Sequence, residues 1–158
     1  MPGEPSLFSA ADYTFMAEAI RLAEKGLYTT SPNPRVGCVI VKNHQIIGRG
    51  WHEKAGQPHA EINALKQAAS EVKGITVYVT LEPCCHYGRT PPCTDALINA
   101  GIAKLIIAAQ DPNPRVAGKG IQQLRAAGIE VQYGLLEAQA NQLNSGFASR
   151  MTRQRPRI

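Results

Sequence analysis

The stretch VGCVIVKNHQIIGRGW, residues 36–51, decides the fold of this chain. Residues 36–41 are apolar and rich in β-branched side chains, which predicts a strand that is covered on both faces. KNHQ, residues 42–45, predicts a turn, and residues 46–51 predict a second strand that returns beside the first. The β structure of the chain therefore begins with a hairpin.

Outside this hairpin, helical and strand patterns alternate along the chain. Residues 11–26 repeat apolar side chains at helical spacing. Further helices are expected over 59–70, 93–101, 121–128 and 136–151, and further strands over 75–81, 104–110 and 129–135. The order α-β-β-α-β-α-β-α-β-α predicts an α/β layered domain whose sheet is largely parallel after the hairpin. In such sheets, sites form at the carboxyl ends of strands and at the helix starts beside them.

The composition is that of an ordinary globular protein. The chain has 158 residues, of which 44% are hydrophobic and 18% are charged, and this suits one domain with a proper core. No apolar run approaches the roughly 20 residues that span a bilayer. The N-terminus lacks the basic start and apolar stretch of a secretory signal, so we expect residues 1–10 to be a flexible leader and the protein to be cytoplasmic.

The basic charge is concentrated at the C-terminus. The formal net charge is +5, and four arginines without an acidic neighbour fall within residues 150–158: Arg150, Arg153, Arg155 and Arg157. Removing these four charges from +5 leaves +1. Because the rest of the chain is nearly balanced, the pattern favours a solvated tail or a linker over a nucleic-acid-binding surface.

Three of the four cysteines, Cys84, Cys85 and Cys93, lie close together in the sequence. In a chain without a secretory signal, clustered cysteines indicate metal or redox chemistry rather than a disulfide scaffold. The fourth, Cys38, lies in the apolar first strand and is predicted to be a core residue.

His59, Cys84 and Cys93 form the candidate metal site. Two thiolates and one imidazole suit zinc, and three protein ligands leave the fourth position to water, as in catalytic rather than structural sites. His59 and Cys93 fall at predicted helix starts, where the helix dipole favours a thiolate. Cys85 and His86 are also available as ligands. Adjacent cysteines do not both reach one zinc ion comfortably, and we choose Cys84, which directly follows Pro83. A hydroxyl is then expected to be tolerated in place of the Cys85 thiol.

Glu61 stands two residues after His59 and is the candidate proton carrier. A carboxylate beside zinc takes a proton from water and passes it to a leaving amine. This set of groups is similar to the His-x-Glu and Pro-Cys arrangement of the zinc nucleobase deaminases. Each residue alone has an ordinary explanation, since a helix-start glutamate often supports the N-terminus. Their joint occurrence with the cysteines favours catalysis.

Four segments together resemble the deaminase domain of the bifunctional riboflavin biosynthesis proteins of the RibD family. They are TSPNPRVGCVIV, HAEINAL, TLEPCCHYGRTPPC and DPNPRVAGKG, and the resemblance covers about residues 11–150. The long spacer between Cys84 and Cys93 is typical of this family, whereas cytidine, guanine and tRNA adenosine deaminases usually show Pro-Cys-x-x-Cys. The resemblance implies a three-layer α/β/α cytidine deaminase-like fold, with a five-stranded mixed sheet and helices on both faces.

The resemblance also implies an activity. This is hydrolytic removal of the 2-amino group from 2,5-diamino-6-ribosylamino-4(3H)-pyrimidinone 5′-phosphate, with one Zn²⁺ per chain. His59, Cys84 and Cys93 match the family's zinc ligands, and Glu61 matches its proton shuttle. The positions that match the substrate pocket are Asn33, His52, His86, Arg89, Thr90, Asp111 and Asn113.

These pocket residues suit a pyrimidine ribotide chemically. Asn33, Asp111 and Asn113 offer amide and carboxylate partners for the base edge, although Asn-Pro and Asp-Pro pairs also commonly initiate turns. Arg89 and Thr90 offer donors for the phosphate. Many relatives carry lysine where this chain has Arg89, and both side chains are cations.

The family's usual protein continues into an NADPH-dependent reductase domain. No dinucleotide fingerprint occurs in the 158 residues, so we expect 151–158 to be the start of a linker and NADP(H) to belong only to the absent domain. The expected partner is the small ribotide, without nucleic acid or membrane, in a homo-oligomer. Two alternatives remain: a deaminase of another nucleoside, nucleobase or tRNA, and a non-catalytic zinc-stabilised binding module with a fourth protein ligand.

Overall fold

A five-stranded mixed sheet forms the centre of the computed structural model, which describes residues 8–25, 35–52, 59–68, 74–84, 92–111 and 117–143. The helices are α1 (Ala10–Glu24), α2 (Ala60–Ala68), α3 (Cys93–Ala100), α4 (Lys119–Ala126) and α5 (Glu137–Leu143). The strands are β1 (Gly37–Lys42), β2 (Gln45–Trp51), β3 (Thr76–Leu81), β4 (Lys104–Ala109) and β5 (Glu130–Tyr133). This confirms the predicted order of elements.

The strands lie in the order β2-β1-β3-β4-β5. β1 pairs antiparallel with both β2 and β3, whereas β3, β4 and β5 are parallel. Because β1 runs against β3, the start of β1 meets the end of β3, and the amide of Gly37 donates to Thr80 Oγ1 at 3.1 Å. The amide of His52, directly after β2, donates to the carbonyl of Val36. Four strand ends therefore lie at the same edge of the sheet, namely the start of β1 and the ends of β2, β3 and β4.

Two apolar clusters, one on each face of the sheet, confirm the three-layer arrangement. One cluster joins α2, α3 and α4 to the sheet and contains Ala64, Leu97 and Leu124. The other joins α1 and α5 to the opposite face and contains Met16 and Ala140. Burial of such side chains stabilises the fold by about 1.5–3 kcal/mol for each large one.

β1 shows why its sequence is apolar throughout. Cys38 and Ile40 lie in the cluster with α2, whereas Val39 and Val41 lie in the cluster with α1. Successive side chains of a strand point to opposite faces, and both faces are covered here. Cys38 is 0% exposed, which confirms its prediction as a core residue.

Local conformations account for several element ends. The hairpin turn consists of Asn43 and His44, at φ of 52° and 62°, as a two-residue type I′ turn requires. Gly101 ends α3 in the left-handed conformation, at the residue predicted to close it. Gly134, with φ of 100°, follows β5, which is shorter than the predicted strand over 129–135.

Some predicted segments lie outside the described residues. The predicted last helix reaches 151, and α5 is described to Leu143. Residues 1–7 and the tail after residue 143 are not described. Among the described residues, no helix combines the length and the apolar character needed to cross a membrane.

Candidate metal centre

The candidate ligands His59, Cys84 and Cys93 converge at the edge of the sheet where β1 starts and β2, β3 and β4 end. Their ligand atoms all lie within 4.8 Å of one another. His59 Nδ1 is 3.3 Å from Cys93 Sγ and 3.9 Å from Cys84 Sγ. In a tetrahedral zinc site with Zn–N of about 2.0 Å and Zn–S of about 2.3 Å, nitrogen and sulfur ligands are about 3.5 Å apart. The residues therefore fit a zinc ion in both chemistry and spacing.

Each candidate ligand stands at the boundary of an element. His59 directly precedes α2, and its carbonyl accepts from the amide of Asn63 at 3.1 Å. Cys93 is the first residue of α3, after Pro92 at the N-cap. The Cys93 amide donates to Cys84 Sγ at 3.2 Å, and the Thr94 amide donates to the carbonyl of Cys84 at 3.1 Å. The first turn of α3 thus holds Cys84 in place.

The thiols of Cys84 and Cys93 differ in pKa. The hydrogen bond from Cys93 lowers the pKa of the Cys84 thiol most strongly, and with the help of His59 that pKa falls to about 4. The same interaction with Cys84, together with burial, raises the pKa of Cys93 well above its ordinary value. The hydrogen bond to Cys84 also raises the pKa of His59. Cys84 is therefore the first thiolate, and a cation is needed to ionise Cys93 as well.

Glu61 lies in the first turn of α2 and is 3% exposed. Burial raises the pKa of Glu61 from its ordinary value of 4.5 to about 7, and the charge of Cys84 acts in the same direction. Its side chain also forms a hydrogen bond with Cys93, so it lies directly beside the candidate ligands. A carboxyl group with a pKa near neutrality is suited to accept and return a proton.

In the metal-free protein, Glu61→Gln is expected to raise stability at pH 8 and to leave it almost unchanged at pH 4. The unfolded carboxyl ionises above pH 4.5, whereas the folded one keeps its proton up to about pH 7. The native state therefore binds more protons in this window, and wild-type stability falls as pH rises through it. Glutamine does not ionise, so the difference in the free energy of unfolding between Glu61→Gln and wild type should reach on the order of 3 kcal/mol above pH 7.

Urea unfolding of the chelator-treated proteins at several pH values measures this difference. Glu137, which is exposed in the first turn of α5, provides the matched control. Glu137→Gln should give the wild-type pH dependence. A difference between Glu61→Gln and wild type that is constant from pH 4 to 8 would contradict the raised pKa.

Two glycines of β2 position α2. A β-carbon at Gly48 would lie 2.5 Å from the carbonyl oxygen of Ala64, and one at Gly50 would lie 2.3 Å from that of Ala60. The side-chain amide of Asn63 also donates to the carbonyl of Trp51 at 2.9 Å. This close approach fixes the start of α2, and with it His59 and Glu61, against the sheet.

Gly50→Ala is therefore expected to destabilise the metal-free protein by about 3 kcal/mol and to weaken zinc binding, since the added methyl group displaces the backbone of α2. Gly74 offers a comparison, because it has φ of 76° and open space around it. It lies before β3, at the opposite end of that strand from the candidate ligands. Gly74→Ala should cost about 1–2 kcal/mol through backbone strain alone and leave zinc affinity unchanged. Unfolding curves measure the stability of each variant, and zinc titration measures its zinc affinity. Equal zinc affinities for the two variants would contradict the role of Gly50.

The structure describes only two of the predicted pocket residues. His52 is 3% exposed, and its ring centroid lies 5.0 Å from that of His59 in an edge-on arrangement. Asp111 follows β4 at the same edge of the sheet, and its amide donates to Glu82 Oε1 at 3.1 Å. The remaining predicted positions, with the alternative ligand Cys85, lie outside the described residues: Asn33, His86, Arg89, Thr90 and Asn113.

Glu82 is a residue of this region to which the sequence patterns assigned no role. It is 6% exposed, lies two residues before Cys84, and accepts backbone N–H groups from Asp111, Gly118 and Gly120. Its partners are distant in the sequence, and only the folded chain identifies them.

A comparison with known protein families agrees with this geometry. Residues 9–109 match the model of the cytidine and deoxycytidylate deaminase zinc-binding region. The match covers more than half of the chain, and the chain therefore belongs to this zinc-dependent deaminase family.

The relatives in sequence include riboflavin biosynthesis proteins and a pyrimidine deaminase. The chain is 57% identical to the riboflavin biosynthesis protein RibD of Escherichia coli (strain K12), over 89% of this chain and 38% of that protein. It is 54% identical to the diaminohydroxyphosphoribosylamino-pyrimidine deaminase of Buchnera aphidicola subsp. Schizaphis graminum, over 89% of this chain and 95% of that protein. The resemblance inferred from the motifs is confirmed.

A solved structure confirms the fold. RibD of Acinetobacter baumannii, form 1, superposes with a TM-score of 0.88 at 58% identity, over 90% of this chain and 40% of that one. The chain thus spans about 40% of the length of the RibD relatives it matches, and nearly the full length of the Buchnera deaminase.

Proposed function

We propose that this chain catalyses the hydrolytic deamination of 2,5-diamino-6-ribosylamino-4(3H)-pyrimidinone 5′-phosphate, giving 5-amino-6-ribosylaminouracil 5′-phosphate and ammonia. The observation that carries the proposal is the convergence of His59, Cys84 and Cys93 beside buried Glu61. The chain in which they converge is 54% identical to a pyrimidine deaminase of almost the same length.

The protein residues divide the chemistry between them. His59, Cys84 and Cys93 would hold one zinc ion per chain, and the bound ion would supply the Lewis acidity that makes water nucleophilic near neutral pH. A Glu61 carboxylate oxygen accepts the proton of the water that attacks C2 of the pyrimidine. Glu61 then returns that proton to the 2-amino nitrogen, and the C2–N bond breaks to release ammonia. The position of Glu61 supports this role, because its carboxyl group is buried directly beside the candidate ligands.

We also propose that the ribotide is held by the residues that match the family's pocket. His52 and Asp111 line the same edge of the sheet as the metal centre, which supports their assignment. The resemblance alone supports the assignment of the others. Asn33 and Asn113 would bind the base, Arg89 and Thr90 would bind the ribose phosphate, and His86 would line the pocket.

The wider setting of the chain is also a proposal. The RibD relatives are longer than this chain, and its 158 residues contain no dinucleotide fingerprint, so we infer that they do not turn over NADPH. We further infer that the chain acts in the cytoplasm as a homo-oligomer on a small-molecule substrate, without a nucleic-acid or membrane partner.

Ammonia release from a panel of substrates tests the proposed function. The zinc-loaded chain should prefer the diaminopyrimidine ribotide over cytidine, deoxycytidine 5′-phosphate and adenosine by at least about 100-fold in kcat/KM, because only the ribotide satisfies the whole pocket. Chelation should remove the activity, and added zinc should restore it. Preference for cytidine would instead identify a nucleoside deaminase, and no ammonia from any substrate would identify a binding module.

A further inference from the structure

Glu82 links two parts of the candidate site that are far apart in the sequence. Its Oε1 accepts from the amides of Asp111 at 3.1 Å and Gly118 at 3.0 Å, and its Oε2 accepts from the amide of Gly120 at 2.9 Å. These amides stand on either side of the segment between β4 and α4. Glu82 itself continues from β3 toward Cys84. One carboxylate therefore holds Asp111 and the start of α4 against the residues that lead from β3 to Cys84.

The surroundings show that this arrangement is tightly built. A β-carbon at Gly120 would lie 2.6 Å from the carbonyl oxygen of Pro83 and 3.2 Å from Glu82 Oε2. Gly118, at φ of 86°, occupies the N-cap position of α4, where no side chain caps the helix. The Glu82 carboxylate takes the place of that missing cap, since it accepts the amide of Gly120, the second residue of α4, which a capping side chain would otherwise bind.

The bonds of Glu82 reach beyond the start of α4. Glu82 does more than cap this helix, because it also binds the amide of Asp111, which lies two residues after the end of β4. The amide of Glu82 in turn donates to the carbonyl of Ala109 at 2.9 Å. Glu82 is therefore fixed to the last residue of β4 by its backbone and to the amide of Asp111 by its side chain.

We propose that Glu82 is a positioning residue, which sets the location of Asp111 relative to the metal centre and so acts on substrate binding. The proposal rests on the proposed function, because Asp111 is assigned there to the substrate. Glu82 itself would contact neither the substrate nor zinc. Loss of its carboxylate should weaken binding of the ribotide more than it slows the chemical step.

Glu82→Gln provides the test in the zinc-loaded full chain. The glutamine keeps the shape of the side chain, but its amide nitrogen cannot accept the N–H groups that one carboxylate oxygen binds. We expect KM for the ribotide to rise about tenfold, kcat to stay within about threefold, and the zinc content per chain to remain at the wild-type value. Amide hydrogen exchange at Asp111, Gly118 and Gly120 should become faster. Glu24→Gln, at an exposed position near the end of α1, is the control and should change none of these quantities.

A double-mutant cycle distinguishes positioning from general stabilisation. If Glu82 acts through Asp111, the rise in KM caused by Glu82→Gln should disappear in an Asp111→Ala background. An equal rise in both backgrounds would overturn the proposal, as would loss of zinc or unchanged amide exchange. If Glu82→Gln does not fold, Glu82→Asp, which keeps the charge but shortens its reach, carries the same expectation.

The exchange measurement keeps this inference separate from the function on which it rests. Wild-type protein that does not deaminate the ribotide would refute the proposed function. The exchange rates of the three amides would still decide whether Glu82 holds the two segments together.

Discussion

Glu61→Gln is expected to lower the rate of ammonia release by about 10²–10⁴-fold, which is the usual contribution of a general acid–base group. Glutamine keeps the size and hydrogen-bonding shape of the buried side chain but cannot carry the proton from the attacking water to the leaving nitrogen. The candidate ligands His59, Cys84 and Cys93 are unaltered, so the zinc content should stay at one ion per chain. Steady-state assays and metal analysis of the same preparation measure both quantities.

The control for this experiment is another glutamate at a helix start. Glu137 lies in the first turn of α5, as Glu61 does in α2, but it is exposed. Glu137→Gln should keep wild-type activity. Retention of activity in Glu61→Gln would remove the proton-shuttle role, whereas loss of both zinc and activity would make Glu61 a residue that supports the metal site.

Cys93→Ser is expected to have a comparable effect through a different cause. Cys93 Sγ is the buried member of the candidate site and lies 3.3 Å from His59 Nδ1. A serine hydroxyl is a weaker, harder ligand for zinc and does not ionise as a thiol does. We expect zinc affinity to fall by more than the about 10–100-fold that loss of an outer-shell partner costs, and activity to fall with it. Competition with a zinc-binding dye measures the affinity.

Two other cysteines make the comparison specific. Cys38→Ala removes a fully buried thiol of β1 on the face of the sheet that α2 covers, and it should leave zinc affinity unchanged while costing some stability. Cys85→Ser, at the residue next to Cys84, should also keep the zinc ion. Zinc loss in Cys85→Ser combined with retention in Cys93→Ser would require a different ligand set.

Much of the fold could be predicted because its signals are local. The apolar run of β1 predicted a strand that is buried on both faces, as observed. Gly101 predicted the end of α3, where the backbone is left-handed. The candidate ligands were predictable for the same reason. His59 and Cys93 stand at helix starts, and residue type and spacing along the chain already restrict the chemistry that they can perform.

The sequence by itself determined the order of elements, the buried strand β1 and the chemical identity of the candidate zinc site, since periodicity and side-chain chemistry are properties of short segments. Only the tertiary structure decided that β1 pairs antiparallel with β3, that Gly50 lets α2 approach the sheet, and that Glu61 is buried. The partners of Glu82 belong to the same group, because they lie 29, 36 and 38 residues away along the chain. Contacts between such distant residues depend on strand pairing and packing, and no local pattern encodes them.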